Sequence, residues 1–258
     1  MIYKRVINKL RKIVSPTPNV PTSLNHLHGL QSAVDYANSQ SESSGTSYSD
    51  YLILYTHIKE TKPKYVLECG TGKSTFVIAQ AMLENQLENP NTPEFDKMKL
   101  ISMEDKYEWY EKSVNILPEK FQEFVEIHHS ELTSYSYSLL NGIIYKDIPD
   151  LPYDFVFIDG PDQSGGTNVT ACDIDFIKIV KSSNNPVSAL IDNRKHTILA
   201  CTLAFGQDKV SFYPELALGY VKPVTQSDLI IADKMAIRAT WFKNGLISLE
   251  KGKHINYL

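Results

Sequence analysis

Three clusters of residues in this chain have the types and spacing that chemistry requires. The first reads Glu68-Cys69-Gly70-Thr71-Gly72-Lys73-Ser74-Thr75. Two glycines between a strand and a helix let the backbone bend and approach a ligand closely. A carboxylate beside them can pair with an ammonium group. The second cluster, Ser102-Met103-Glu104-Asp105, offers acids where both hydroxyls of a ribose can be accepted. Glu104 is the first candidate, and Asp105 is the alternative if the register shifts by one. The third cluster comes from two segments, Asp159-Gly160-Pro161-Asp162 and Asp192-Asn193-Arg194-Lys195-His196. Asp159, Asp192 and Asn193 together form an oxygen donor set that suits a hard divalent cation such as Mg²⁺ or Ca²⁺. Asp162, Lys195 and His196 are the candidate general bases, and the sequence does not choose among them.

These residues need elements to place them. Apolar runs predict strands at 64–68, 100–103, 124–127, 153–158 and 187–191, with further strands around 209–213, 228–232 and 236–242. Helical patterns fall at 50–60, 74–87, 106–116, 171–181 and about 197–205. The segment 88–98, with Pro90, Pro93 and several asparagines, reads as a loop. Alternation of strands and helices implies an α/β fold with a mostly parallel sheet and helices on both faces. Ligands of such sheets bind at the carboxyl ends of the strands, which is where all three clusters fall.

Three motif readings compete for the glycine turn. A phosphate-binding P-loop needs a glycine five residues before Gly72, and that position is Leu67. A dinucleotide fingerprint needs a third glycine where Thr75 stands. The string VLECGTGKS instead resembles motif I of the class I, Rossmann-like S-adenosylmethionine-dependent methyltransferases, with Ser74 at a position where a third glycine often sits. The resemblance implies a doubly wound, seven-stranded sheet ending in an antiparallel hairpin. It implies cofactor contacts from Glu68, Gly70, Gly72 and Ser74, with Glu104 on the ribose. Ser130 or Glu131 would lie near the adenine, and Tyr107, Trp109 or Tyr110 would cover it. Asp159 would line the same cofactor site. The paired His128 and His129 point to opposite faces of a strand and are not expected to chelate one ion.

The strand-end acids are similar to those of metal-dependent O-methyltransferases of the catechol and caffeoyl-coenzyme A type. Asp159, Asp192 and Asn193 match the metal positions of that family. The resemblance implies a bound cation that lowers the pKa of an acceptor hydroxyl. One departure is Asp162, which stands where the catechol enzyme has a lysine three residues after its first metal ligand. The activity implied is methylation of an oxygen on a small molecule or glycan. Two other readings remain: a non-catalytic nucleotide-binding scaffold of the same fold, and an NAD-linked enzyme.

Composition bounds the rest. The chain has 258 residues, 42% of them hydrophobic and 22% charged, and a formal net charge of −4. That balance suits a globular protein with a substantial core and disfavours a dedicated nucleic-acid binder. Cys69, Cys172 and Cys201 are odd in number and widely spaced, so neither a disulfide framework nor a zinc site is expected, and a reducing cytoplasm is the natural compartment. No apolar h-region follows the N-terminus, so no secretory signal is expected. Residues 1–14 hold five basic residues and no acid, with Ile2, Val6, Leu10 and Ile13 at helical spacing. This pattern allows weak contact with an anionic membrane surface, or simply a solvated leader. Residues 1–49, including a serine-rich stretch over 39–49, read as an arm and linker, and 50–258 as the methyltransferase domain.

Overall fold

The computed structural model describes residues 28–40, 48–138, 140–161 and 172–230. Asp162, the basic segment 1–14 and the strand expected at 236–242 lie outside them. The described helices are α1 (His28–Gln40), α2 (Tyr48–Thr61), α3 (Lys73–Glu88), α4 (Tyr107–Asn115), α5 (Asp175–Ser182) and α6 (Lys195–Phe205). The strands are β1 (Tyr65–Cys69), β2 (Lys99–Glu104), β3 (Val125–His129), β4 (Leu132–Tyr137), β5 (Leu140–Tyr145), β6 (Phe155–Ile158), β7 (Cys172–Asp173), β8 (Val187–Asp192), β9 (Val210–Tyr213) and β10 (Leu218–Val224). Seven strands form one sheet in the order β3-β2-β1-β6-β8-β10-β9, and β4-β5-β7 form a second. This is the doubly wound, mostly parallel α/β architecture expected from the sequence, with helices on both sides and an antiparallel end.

The chain divides into two compact units, 1–129 and 130–258. In the first, β1, β2 and β3 are parallel, with Glu68 opposite Ser102 and Met103 opposite His128. Val66, Leu67, Leu100, Ile101 and Met103 are buried without alternation, as strands covered on both faces must be. Helix α1 lies in the stretch read as an arm. It buries Leu30, Ala33, Val34 and Ala37 and packs on α3, where the Tyr36 and Phe76 rings meet at 5.6 Å.

In the second unit, β6 and β8 are parallel, and β10 runs antiparallel to both β8 and β9. The last described strand is Leu218–Val224. The strand expected at 228–232 is not found over 228–230, where a 3₁₀ turn at Gln226–Asp228 leads into exposed Ile230. The hairpin β4–β5 was not anticipated. Its register pairs Leu132 with Tyr145 and Tyr137 with Leu140.

Candidate active site at the strand ends

The first unit builds a compact pocket edge from the glycine turn. Gly70 has φ 95°, a backbone conformation that favours glycine. The amides of Gly70 and Thr71 both donate to the carbonyl of Met103, at 2.9 and 3.1 Å. That pair of bonds pins the turn after β1 to the end of β2, next to Glu104. Gly72 is different. Its φ of −174° suits any residue, and a Cβ there would meet nothing nearer than Ser74 Oγ at 3.9 Å. Neither backbone nor packing demands a glycine at that position. The missing side chain leaves open space at the mouth of the turn, as close approach of a ligand requires.

Glu68 is fully buried beneath this turn. The hydroxyls of Ser74, Thr75 and Ser102 each donate to its carboxylate at 2.6 Å. Thr71 Oγ1 lies 2.7 Å from Ser102 Oγ; since the Ser102 hydrogen goes to Glu68, Thr71 is the donor. Burial pushes the Glu68 carboxyl up to about 7, with the three hydroxyls opposing that rise and Glu104 adding to it. The acid expected to meet a ligand ammonium is therefore enclosed by protein. It organises the turn from beneath, and Ser74 is committed to the same network. Sequence reasoning missed Thr71, Thr75 and Ser102, although hydroxyls clustered around a buried acid are the signal.

Glu104 ends β2 and is also buried, and it accepts the Lys106 amide at 2.9 Å through Oε1. Burial pushes its carboxyl up to about 7; the Lys106 amide opposes this and Asp105 adds to it. Beside it, the Tyr107 and Tyr110 rings lie 5.5 and 5.9 Å from the His129 ring. Trp109 instead lies under Lys112 at 4.7 Å. The two histidines part as expected: His128 Nε2 is 3.3 Å from Glu126 and His129 Nε2 is 3.2 Å from the Asp105 carbonyl.

The second unit brings the two acidic strand ends together. Ile158 pairs with Ile191, so Asp159 and Asp192 follow at the same edge of adjacent parallel strands. Such strands lie about 4.8 Å apart. Both acids are half-buried, and Asn193 is exposed with φ 45°. The Asn193 amide donates to the Ala217 carbonyl at 2.7 Å, which ties this end to the start of β10. Lys195 and His196 are exposed in the first turn of α6. Ser130, expected near the adenine, has structural partners here. It is buried, accepts the Asp147 amide at 3.1 Å and donates to the Glu131 carbonyl at 3.2 Å.

Behind that edge lies a buried charged group that sequence reasoning did not single out. Asp173 and Asp175 are both fully buried, and burial holds both carboxyls above the usual range, Asp173 up to about 6. The Asp175 amide donates to Asp173 at 3.0 Å, and the Tyr145 amide donates to Asp175 at 3.0 Å. The charge of Arg194 favours ionised Asp173. Arg194 also donates through both terminal nitrogens, to the carbonyl oxygens of Asp159 and Pro161.

No family model and no curated protein matches this chain. Solved structures do. An O-methyltransferase from Bacillus cereus bound to S-adenosylhomocysteine is 14% identical over 86% of this chain and 100% of its own, with a TM-score of 0.46. The O-methyltransferase TomG from Streptomyces achromogenes, of tomaymycin synthesis and in complex with S-adenosylmethionine, is 15% identical over 93% of this chain and 83% of its own, at 0.41. The S-adenosylhomocysteine-bound methyltransferase PaMTH1 from Podospora anserina is 13% identical over 96% and 86%, at 0.43. What these matches concern is the fold, the mostly parallel seven-stranded α/β sheet described above. At these identities and scores, neither activity nor ligand passes from those proteins to this chain.

Proposed function

We propose that this chain is an S-adenosylmethionine-dependent methyltransferase acting on an oxygen of a small molecule or glycan. The observation that carries the reading is the turn after β1. Gly70 pins it to the end of β2 beside Glu104, while Gly72 leaves a gap that the protein itself does not need. A ligand with a compact charged end and a ribose fits that pairing of an open backbone turn with an acid one strand away. Glu104 accepts the ribose hydroxyls, and these donors favour its ionised form. Glu68 holds the turn through its three hydroxyl partners. Tyr107 and Tyr110 offer ring faces beside the same strand end.

The donor set at the second edge fits a hard cation, with Asp159, Asp192 and Asn193 as its holders. When bound, S-adenosylmethionine supplies an electrophilic methyl group, and Mg²⁺ supplies a charge that acidifies an acceptor hydroxyl. The chain's own contribution is alignment of acceptor and donor. His196 or Lys195, both solvent-facing, receives the acceptor proton, and Asp162 is the third candidate.

The test is calorimetric titration with S-adenosylhomocysteine, with and without Mg²⁺, on wild type and Asp192→Ala. Micromolar binding to wild type, with a separate Mg²⁺ heat that Asp192→Ala abolishes, is the expected outcome. Cofactor binding without any metal heat removes the metal from the reading. Binding of NAD with no binding of S-adenosylhomocysteine overturns the reading altogether.

A further inference from the structure

The reading of the Asp159–Asp192 edge as the reaction site leaves one question: what holds two acids on separate strand ends in a fixed relation? The register of β6 and β8 ends at the Ile158–Ile191 pair, one residue before Asp159 and Asp192. The inference below rests on that reading of the edge.

We infer that Arg194 is the positioning residue of this edge, clamping the Asp159–Pro161 turn to the strand end that carries Asp192. Three observations support this. One terminal nitrogen of its guanidinium donates to the Asp159 carbonyl and the other to the Pro161 carbonyl, so a single planar group spans both sides of Gly160. Its own backbone is anchored two residues after Asp192, where the Asn193 amide bonds Ala217 and the Arg194 carbonyl accepts the Ile198 amide at 2.9 Å. The clamp therefore joins the β6 end to the β8 end. Its charge also favours the ionised form of Asp173, a fully buried acid whose Oδ2 has no hydrogen-bond partner. A buried carboxylate without a full set of donors is costly unless a cation stands near, and Arg194 is that cation. The arrangement asks for arginine specifically. Lysine offers one compact charge and no rigid fork, so it would satisfy one carbonyl at a time.

The clamp also explains a conflict of charge at the edge. A permanent cation among candidate metal ligands would ordinarily repel a second one. Here the guanidinium points its hydrogens at main-chain carbonyls, and Asp173 offsets its charge.

The test uses the full chain as wild type, Arg194→Lys and Arg194→Ala. Hydrogen exchange is followed at the amides of Asp159 and Gly160 and, for comparison, within β1 and β8. The same proteins are titrated with S-adenosylhomocysteine and with Mn²⁺. Both variants are expected to speed exchange at residues 159–160 at least tenfold while β1 and β8 change less than twofold. Affinity for whichever ligand the wild type binds at this edge should fall about tenfold in Arg194→Ala, and Arg194→Lys should recover only part of it. Unchanged exchange at 159–160, or acceleration spread evenly over the sheet, overturns the clamp. So does full recovery of affinity in Arg194→Lys. If exchange responds locally but wild type binds neither ligand, the clamp stands and the methyl-transfer reading falls.

Discussion

At the scale of single residues, the first unit carries two buried ionisable groups that pull stability in opposite directions with pH. His57 is fully buried, and burial pushes its ring down to about 4. The folded state therefore binds fewer protons than the unfolded chain between pH 6.5 and 4, and stability is lost as pH falls through that window. Glu68, held up at about 7, does the reverse: its contribution is full below about pH 4.5 and is lost as pH rises toward 7. Each gap corresponds to about 3 kcal/mol. In wild type the two slopes oppose each other, with Glu104 adding to that of Glu68, and single variants separate them. His57→Leu should gain about 3 kcal/mol on wild type between pH 7 and pH 4. Glu68→Gln should gain a similar amount between pH 5 and pH 8. Urea unfolding across that range reads both, and stability curves that stay parallel to wild type would contradict the assignment. The residues also show what a linear sequence hides. Glu68 was recognisable as an acid of the turn. That it faces inward onto Ser74, Thr75 and Ser102 depends on Ser102, which lies 34 residues further along the chain.

Among the elements, continuous apolar runs were legible, and the hairpin β4–β5 and strand β10 were not. The segments KYVLE and YDFVFI are continuous apolar runs, as central parallel strands must be, and β1 and β6 lie there. The hairpin β4–β5 reads LTSYSY and LNGIIY, too polar to stand out from a loop. It persists because β5 pairs with the two-residue strand β7, with Gly142 opposite Cys172. A Cβ at Gly142 would lie 2.3 Å from the Cys172 carbonyl oxygen, a main-chain atom that cannot turn aside. Gly142→Ala should therefore open the β5–β7 pairing and cost about 2–3 kcal/mol. Chemical unfolding measures the cost, and faster amide exchange at Asp173 identifies the place. At the far end, β10 was overlooked because Gly219 and Pro223 break its apolar pattern, while apolar Leu229 and Ile230 suggested a strand that is not found over 228–230.

At the scale of the molecule, a mostly parallel sheet with acids at the carboxyl ends of its strands followed from the alternation of apolar runs with helical patterns. The role of the N-terminal region did not. Its composition resembles a linker, and four buried side chains show that α1 within it belongs to the core. Among the described residues, no helix is long and apolar enough to cross a membrane. Helix α1 is bound to the end of the glycine turn as well as to α3, since Lys73 Nζ donates to Asn38 at 2.9 Å, and it reaches the end of α4, where the Tyr36 hydroxyl donates to the Ile116 carbonyl at 2.7 Å.

That attachment has a practical consequence for anyone trimming the protein. A version begun at residue 50, the boundary that composition suggests, would strip α1 from α3 and leave Phe76 and its neighbours facing water. Apolar patches of that kind drive self-association. The shortened protein should sediment as aggregates where the full chain does not, and analytical centrifugation of the two side by side reads the difference. The same cut removes Asn38 from Lys73, so the glycine turn would lose its outer brace in any trimmed protein that stayed in solution.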